Sequence, residues 1–117
     1  MAATSLLITL NHAPHGSAWA REGLEVALVA ASLDQSVTLL LAGDGVFVAL
    51  RGQEAGPLGQ KGTLRMLEGL EMYDIGPIQV DKASLKARGL SSDHLIEGCV
   101  MCDARALLSR HANILVF

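Results

Sequence analysis

Apolar positions along the chain fall in short blocks whose period switches between that of a strand and that of a helix. Ser5 to Asn11 (SLLITLN) is a β-rich apolar run, closed by the breaker cluster Ala13-Pro14-His15-Gly16. Ser17 then stands as an N-cap, and Ala20, Leu24, Ala27, Leu28 and Ala31 recur at helical spacing, with Arg21, Glu22 and Glu25 on the wet face. Trp19, Gly23, Val26 and Ala30 add a weakly polar face, which makes the apolar stripe wider than a monomer's helix needs. Val37 to Ala42 (VTLLLA) is continuously apolar, the pattern of a strand buried on both faces. Gly43-Asp44-Gly45 turns the chain, and Val46 to Leu50 follows as a short turn of helix.

Residues 51–60 form a long Gly-rich loop without periodicity. Thr63 to Tyr73 returns to helical period through Met66, Leu67, Leu70 and Tyr73. Ile78 to Val80 is a third strand, and Asp81 to Ala87 a helix that stops at Gly89, a natural C′ residue. Leu95-Ile96 is a candidate fourth strand, Asp103 to Arg110 a helix, and Asn113 to Phe117 (NILVF) the last strand. Strands alternating with helices predict a single α/β domain over residues 1–117. Its fold is a flavodoxin-like, three-layer one, with a mostly parallel sheet of about five strands, helices on both faces, and a doubly wound order. Reactive groups in such sheets gather where strands end and helices begin. Residues 13–16, 43–45 and 81–84 meet that description.

Composition adds a question. Half of the 117 residues are apolar but only 3% are aromatic, so Leu, Val, Ala and Ile must build the core. Mean hydropathy is +0.37, high for a soluble monomer, and the surplus needs a full core or a partner surface. No apolar stretch approaches the ~20 residues of a membrane-spanning helix. The opening MAATSLLITLNH has no basic segment or cleavage site of a signal peptide, so a cytoplasmic protein is expected. A net charge of −3 with no basic run in sequence disfavours direct nucleic-acid binding.

Cys99-Val100-Met101-Cys102 is the most chemically suggestive string. At a strand-to-helix junction, a CxxC pair can lower the first thiol's pKa and serve redox or sulfur-carrying chemistry. The competing reading has two small soft residues filling the core near the last helix, packed on Leu107 and Leu108. Zinc would need further ligands, for which His94 and His111 are only nominal candidates, so no metal or other cofactor is expected. His15, in the first strand-to-helix loop, reads either as a functional imidazole or as a loop residue bonded to nearby backbone. Asp44 reads as a turn-former, and neither GxGxxG nor GxxxxGK[ST] occurs.

Taken together, these strings resemble the TusC/DsrF family of the DsrE/DsrF superfamily. The landmarks are Ala13-Pro14-His15-Gly16 with Arg21-Glu22-Gly23-Leu24, Asp44-Gly45-Val46-Phe47 with Gly52-Gln53, and Tyr73-Asp74-Ile75. They continue through Ser84-Leu85, Ala87-Arg88-Gly89-Leu90 and the closing Ile114-Leu115-Val116-Phe117. The resemblance implies a heterohexamer with TusB/DsrH-like and TusD/DsrE-like subunits. Such complexes relay persulfide sulfur towards 2-thiouridine at the tRNA wobble position, or serve sulfur oxidation in the DsrEFH branch. It further implies that carrier chains hold their acceptor cysteine at the start of the helix after the third strand. The matching residue here is Asp81, so no catalytic residue is expected in this chain. An active thiol at Cys99 or Cys102 is the alternative.

Overall fold

The computed structural model describes residues 5–52, 67 and 69–117. Five strands form one sheet: β1 (Ser5–Leu10), β2 (Ser36–Leu41), β3 (Ile78–Asp81), β4 (Cys99–Cys102) and β5 (Asn113–Val116). All adjacent pairs are parallel, in the order β4-β3-β2-β1-β5. Among the described residues, the α-helices with given bounds are α1 (Trp19–Ser32), α2 (Lys82–Ala87) and α3 (Ala104–Ser109). The flavodoxin-like class is as expected from the alternation, but the order is not the 2-1-3-4-5 of flavodoxin itself. The chain steps outward from β1 to β4 and then returns across the sheet to lay β5 beside β1.

That single reversal decides which helix covers which face. Crossovers of one hand place their helices on one face while the sheet grows one way, and on the other face once it reverses. Accordingly α1, the 3-10 segment Gly43–Ala49 and α2 pack on one side, over Ile8, Leu10, Leu39, Leu41, Ile78 and Val80. Among the described residues the opposite side holds Leu7, Leu40 and Leu107 as its buried cluster, with α3 packed on it. A parallel sheet is ordinarily covered on both faces. Among the described residues, the six-residue helix α3 is what covers this one.

Several local expectations are corrected. The fourth strand is Cys99–Cys102, not Leu95-Ile96; Leu95 makes an isolated antiparallel bridge to Leu50, and the Ile96 amide donates to Ala49 O at 2.9 Å. Leu95 is buried by the core it completes rather than by a ladder. Ser17 is not the N-cap of α1. Ala18 occupies that position without a side-chain bond, and the loop is braced by the His12 ring stacked on Trp19, centroids 5.5 Å apart. The short helical turn expected from Val46 to Leu50 is the second half of a 3-10 segment, Gly43–Ala49, with Leu50 extended as its C-cap. Of the expected helix from Thr63 to Tyr73, Leu67 is helical as expected and Gly69–Tyr73 tightens to a 3-10 segment, while residues 63–66 and 68 lie outside the described residues. The loop over residues 51–60 is described only at Arg51 and Gly52.

Gly45 is fixed by close approach: a Cβ there would stand 1.7 Å from Leu10 O, so only glycine lets the 3-10 segment sit on the end of β1.

Candidate functional site at the ends of β3 and β4

Neighbouring strands whose following helices leave to opposite faces open a crevice between their carboxyl ends, and open α/β sheets place their sites there. In this order the crevice falls between β3, followed by α2 on the larger core, and β4, followed by α3 on the smaller one. Asp81 and Cys102, paired in register, stand on either side of it. The groove is about 540 Å³, lined by Asp81, Lys82, Ala83, Lys86, Met101, Cys102 and Asp103.

Asp81 leaves β3 in extended geometry and caps α2, accepting from the Ser84 amide at 3.2 Å and from Ser84 Oγ at 2.6 Å. Its other oxygen accepts from the Ala104 amide at 3.1 Å, the first residue of α3. One carboxylate therefore ties both diverging helices to the same strand end. Ser84 Oγ accepts in turn from the Gly43 amide at 2.9 Å, and Arg88 Nη2 reaches Asp44 at 2.9 Å. Asp44 is thus a turn residue held by an ion pair. The loops after β2, β3 and β4 form one connected polar network.

Cys99 and Cys102 both lie inside β4, not at a helix start. Side chains alternate across a strand, so residues three apart point to opposite faces. Cys99 packs against the large cluster, whereas Cys102 joins Leu107 and Leu108 on the small one. The expected packing on the last helix therefore holds for Cys102 alone. Burial pushes the Cys99 thiol up from its ordinary value. Burial also raises Cys102, reinforced by the charges of Asp81 and Asp103 and partly opposed by Arg110. Both shifts disfavour the thiolate, the form that reacts and carries sulfur.

The remaining candidates are dispersed. His15 is exposed in the loop before α1, and His12, which sequence reasoning passed over, makes the ring contact there. His94 Nδ1 accepts from the Ser91 amide at 3.1 Å, and His111 Nδ1 lies 2.9 Å from Leu107 O. Among the described residues no three His, Cys, Asp or Glu side chains group as a metal site. Asp81 at the head of its helix was legible as an N-cap residue. The clamp on Ala104 carries no local signal, because 23 residues separate donor from acceptor.

Comparison with known proteins places this geometry in a lineage. Over 85 residues the chain is 42% identical to the intracellular sulfur oxidation protein DsrF of Allochromatium vinosum, covering 73% of this chain and 62% of that protein, under two thirds of its length. It is 36% identical to a TusC homolog of Vibrio parahaemolyticus, over 89% of this chain and 84% of the relative. The crystal structure of the ychN protein from E. coli superposes with a TM-score of 0.84 at 27% identity, covering 97% of this chain and 99% of that one. The DsrE/DsrF-like family model matches residues 4–115, nearly the whole sheet together with α1, α2 and α3. The chain belongs to the DsrE/DsrF-like family.

Proposed function

We propose that this chain is a non-carrier subunit of a sulfur-relay complex, shaping the assembly while a neighbouring chain accepts the sulfur. The observation that carries this reading is the Asp81 carboxylate at the β3/β4 crevice, at the position where the family resemblance implies an acceptor cysteine in carrier chains. A carboxylate does not form the S–S bond that holds a sulfane sulfur, and these oxygens are already occupied by Ser84 and Ala104. The thiol beside it, Cys102, is held towards its protonated form. The partners in this reading are TusB/DsrH-like and TusD/DsrE-like subunits in a cytoplasmic heterohexamer. The pathway is persulfide relay for 2-thiouridine at the tRNA wobble position. No helix among the described residues is long and apolar enough to cross a membrane. The isolated subunit uses no cofactor and does not bind tRNA by itself.

A second reading places the chain in a DsrEFH-type complex of sulfur oxidation, and the 42% identity to DsrF favours it. Deleting the gene separates the two: loss of wobble 2-thiouridine by nucleoside mass spectrometry supports the tRNA branch, and unchanged 2-thiouridine supports the other. The non-carrier role is tested by loading the reconstituted complex from a persulfide donor and mapping the added sulfur by mass spectrometry. Sulfur is expected on a partner chain, with transfer by the Cys99→Ser/Cys102→Ser double variant close to wild type. Persulfide on Cys99 or Cys102, with transfer lost in the double variant, makes this chain an active carrier instead.

A further inference from the structure

Strands β3 and β4 carry a second groove, at the end opposite the Asp81 crevice. It measures about 420 Å³ and opens where the two strands begin, at the paired residues Ile78 and Cys99. Asp81 and Cys102 lie three residues further along, roughly 10 Å away in extended chain, and line the other groove. The lining joins buried Leu67, Leu70, Ile75 and Ile78 to half-buried Cys99 and exposed Val100. Main-chain bonds fix its outline: the Ile75 amide donates to Leu70 O at 3.4 Å, and the Ile78 amide to Gly98 O at 2.9 Å. A concave, mostly apolar and preformed site of this size suits a bound side chain.

Charge here is of one sign. The lining comes from residues 67–78 and 96–100, and those two stretches hold Glu68, Glu71, Asp74 and Glu97 but no lysine or arginine. Glu97 is itself a lining residue, and Asp74 adjoins Ile75. Both are exposed. Among the described residues the ion pairs are Arg21–Glu25 and Arg88–Asp44, so neither carboxylate has a cationic partner there.

We propose that the groove at the amino ends of β3 and β4 docks a basic segment of a partner protein. An apolar side chain of that segment seats against Ile78 and Cys99, and the lysines or arginines beside it pair with Glu97 and Asp74. Charge complementarity selects the occupant, because the lining offers carboxylates and no cation to offset them, and such a patch steers a basic partner and speeds encounter. An acidic segment or a nucleic acid would meet like charge at the same place. A neutral apolar ligand would fill the groove and leave both carboxylates unused. The inference goes beyond the sulfur-relay reading, and its test reads no sulfur transfer, so the two stand or fall separately.

The test uses the full chain and a fluorescein-labelled peptide of lysines around one central leucine. Fluorescence anisotropy is read at about 50 mM and about 200 mM salt, between which a contact with exposed charges weakens. Cys99 and Cys102 supply an internal reporter, because Cys99 lines this groove and Cys102 the other. Expected are salt-weakened binding and slower alkylation of Cys99 by N-ethylmaleimide when the peptide is present, with Cys102 unchanged. Asp74→Asn/Glu97→Gln should bind about fivefold more weakly, the effect of losing two exposed ion pairs. A peptide with serine in place of its leucine should also bind more weakly, a comparison that needs no variant of the protein. Glu22→Gln, on α1, should bind as wild type, and the circular dichroism of each variant checks that it folds. Any of five results overturns the proposal: no binding at the lower salt, binding unchanged in the double variant, equal binding of the serine peptide, Cys99 left unprotected, or Glu97-dependent self-association that the peptide does not displace.

Discussion

Asp81 accepts from two helices with one carboxylate, and its removal strands donors on both. Asp81→Ala should lower stability by about 1–3 kcal/mol, the range for losing a cap together with a second bond to a charged group, read as a lower urea midpoint. Asp81→Cys tests a different property of the same place. A thiolate there inherits the Ser84 and Ala104 amides, so iodoacetamide near neutral pH should label position 81 faster than Cys99 or Cys102. Equal labelling at all three would show that the crevice gives a thiol no advantage. The native thiols bear a pH signature of the opposite sign. Their folded pKa values are raised, so their contribution to stability is complete below the ordinary thiol range and is lost as pH rises through the folded values. Stability of wild type should therefore fall more steeply than that of the double serine variant under alkaline conditions, and the two slopes should match near neutrality. At this scale the sequence was partly legible. Asp81 announced itself as a cap, but its bond to Ala104 and the Gly43–Ser84 contact arise only when distant loops meet.

Strand β4 shows why an element can be misread while its neighbours are clear. Val37 to Ala42 was recognisable as a buried strand, and the strand runs Ser36–Leu41. Leu95-Ile96 carries the same apolar signal, yet it closes a loop, whereas Cys-Val-Met-Cys at the sheet edge is half-buried and gives a weaker pattern. Placing the CxxC in a strand has a chemical consequence. Cα atoms three residues apart in extended chain are roughly 10 Å from each other, beyond the ~7 Å a disulfide tolerates. Diamide should therefore produce no intramolecular Cys99–Cys102 disulfide in the folded chain, as checked by mass after alkylation. Rapid formation under native conditions would mean that β4 leaves the sheet. The first helix carries a second element-scale constraint. A Cβ on Gly23 would meet Leu10 Cδ2 at 2.2 Å and the Phe117 ring at 3.0 Å, so the glycine in Arg21-Glu22-Gly23-Leu24 is required by packing on β1 and on the residue after β5. Gly23→Ala should cost about 1–3 kcal/mol through overpacking, with hydrogen exchange accelerated first in β5.

Strand order is a property of the whole chain. Alternating elements implied a parallel sheet, but nothing in any one segment says that the chain reverses after β4 and returns beside β1. Among the described residues, the reversal leaves α3 as the helix over its face. Val100, Ile114 and Val116 are 45%, 37% and 60% exposed, and Leu115 on the adjoining edge is 42% exposed. In register, Ile114 pairs with Leu7 and Val116 with Thr9, so their side chains extend the surface that Leu7 and Leu40 begin. Here the high mean hydropathy finds its physical place. Strand β5 is also an edge of four exposed residues with no charge and no proline to discourage pairing. Expressed alone, the chain should self-associate and elute from size exclusion above its 12.3 kDa, and co-expression with TusB- and TusD-like chains should convert it to one defined complex. Apolar association of this kind persists or strengthens in sulfate salts. Ile114→Glu should shift the isolated chain towards monomer while its circular dichroism stays native, because the substituted side chain is already partly in water. A chain that remains monomeric in high sulfate and ignores those partners would mean that the apolar face is tolerated rather than used.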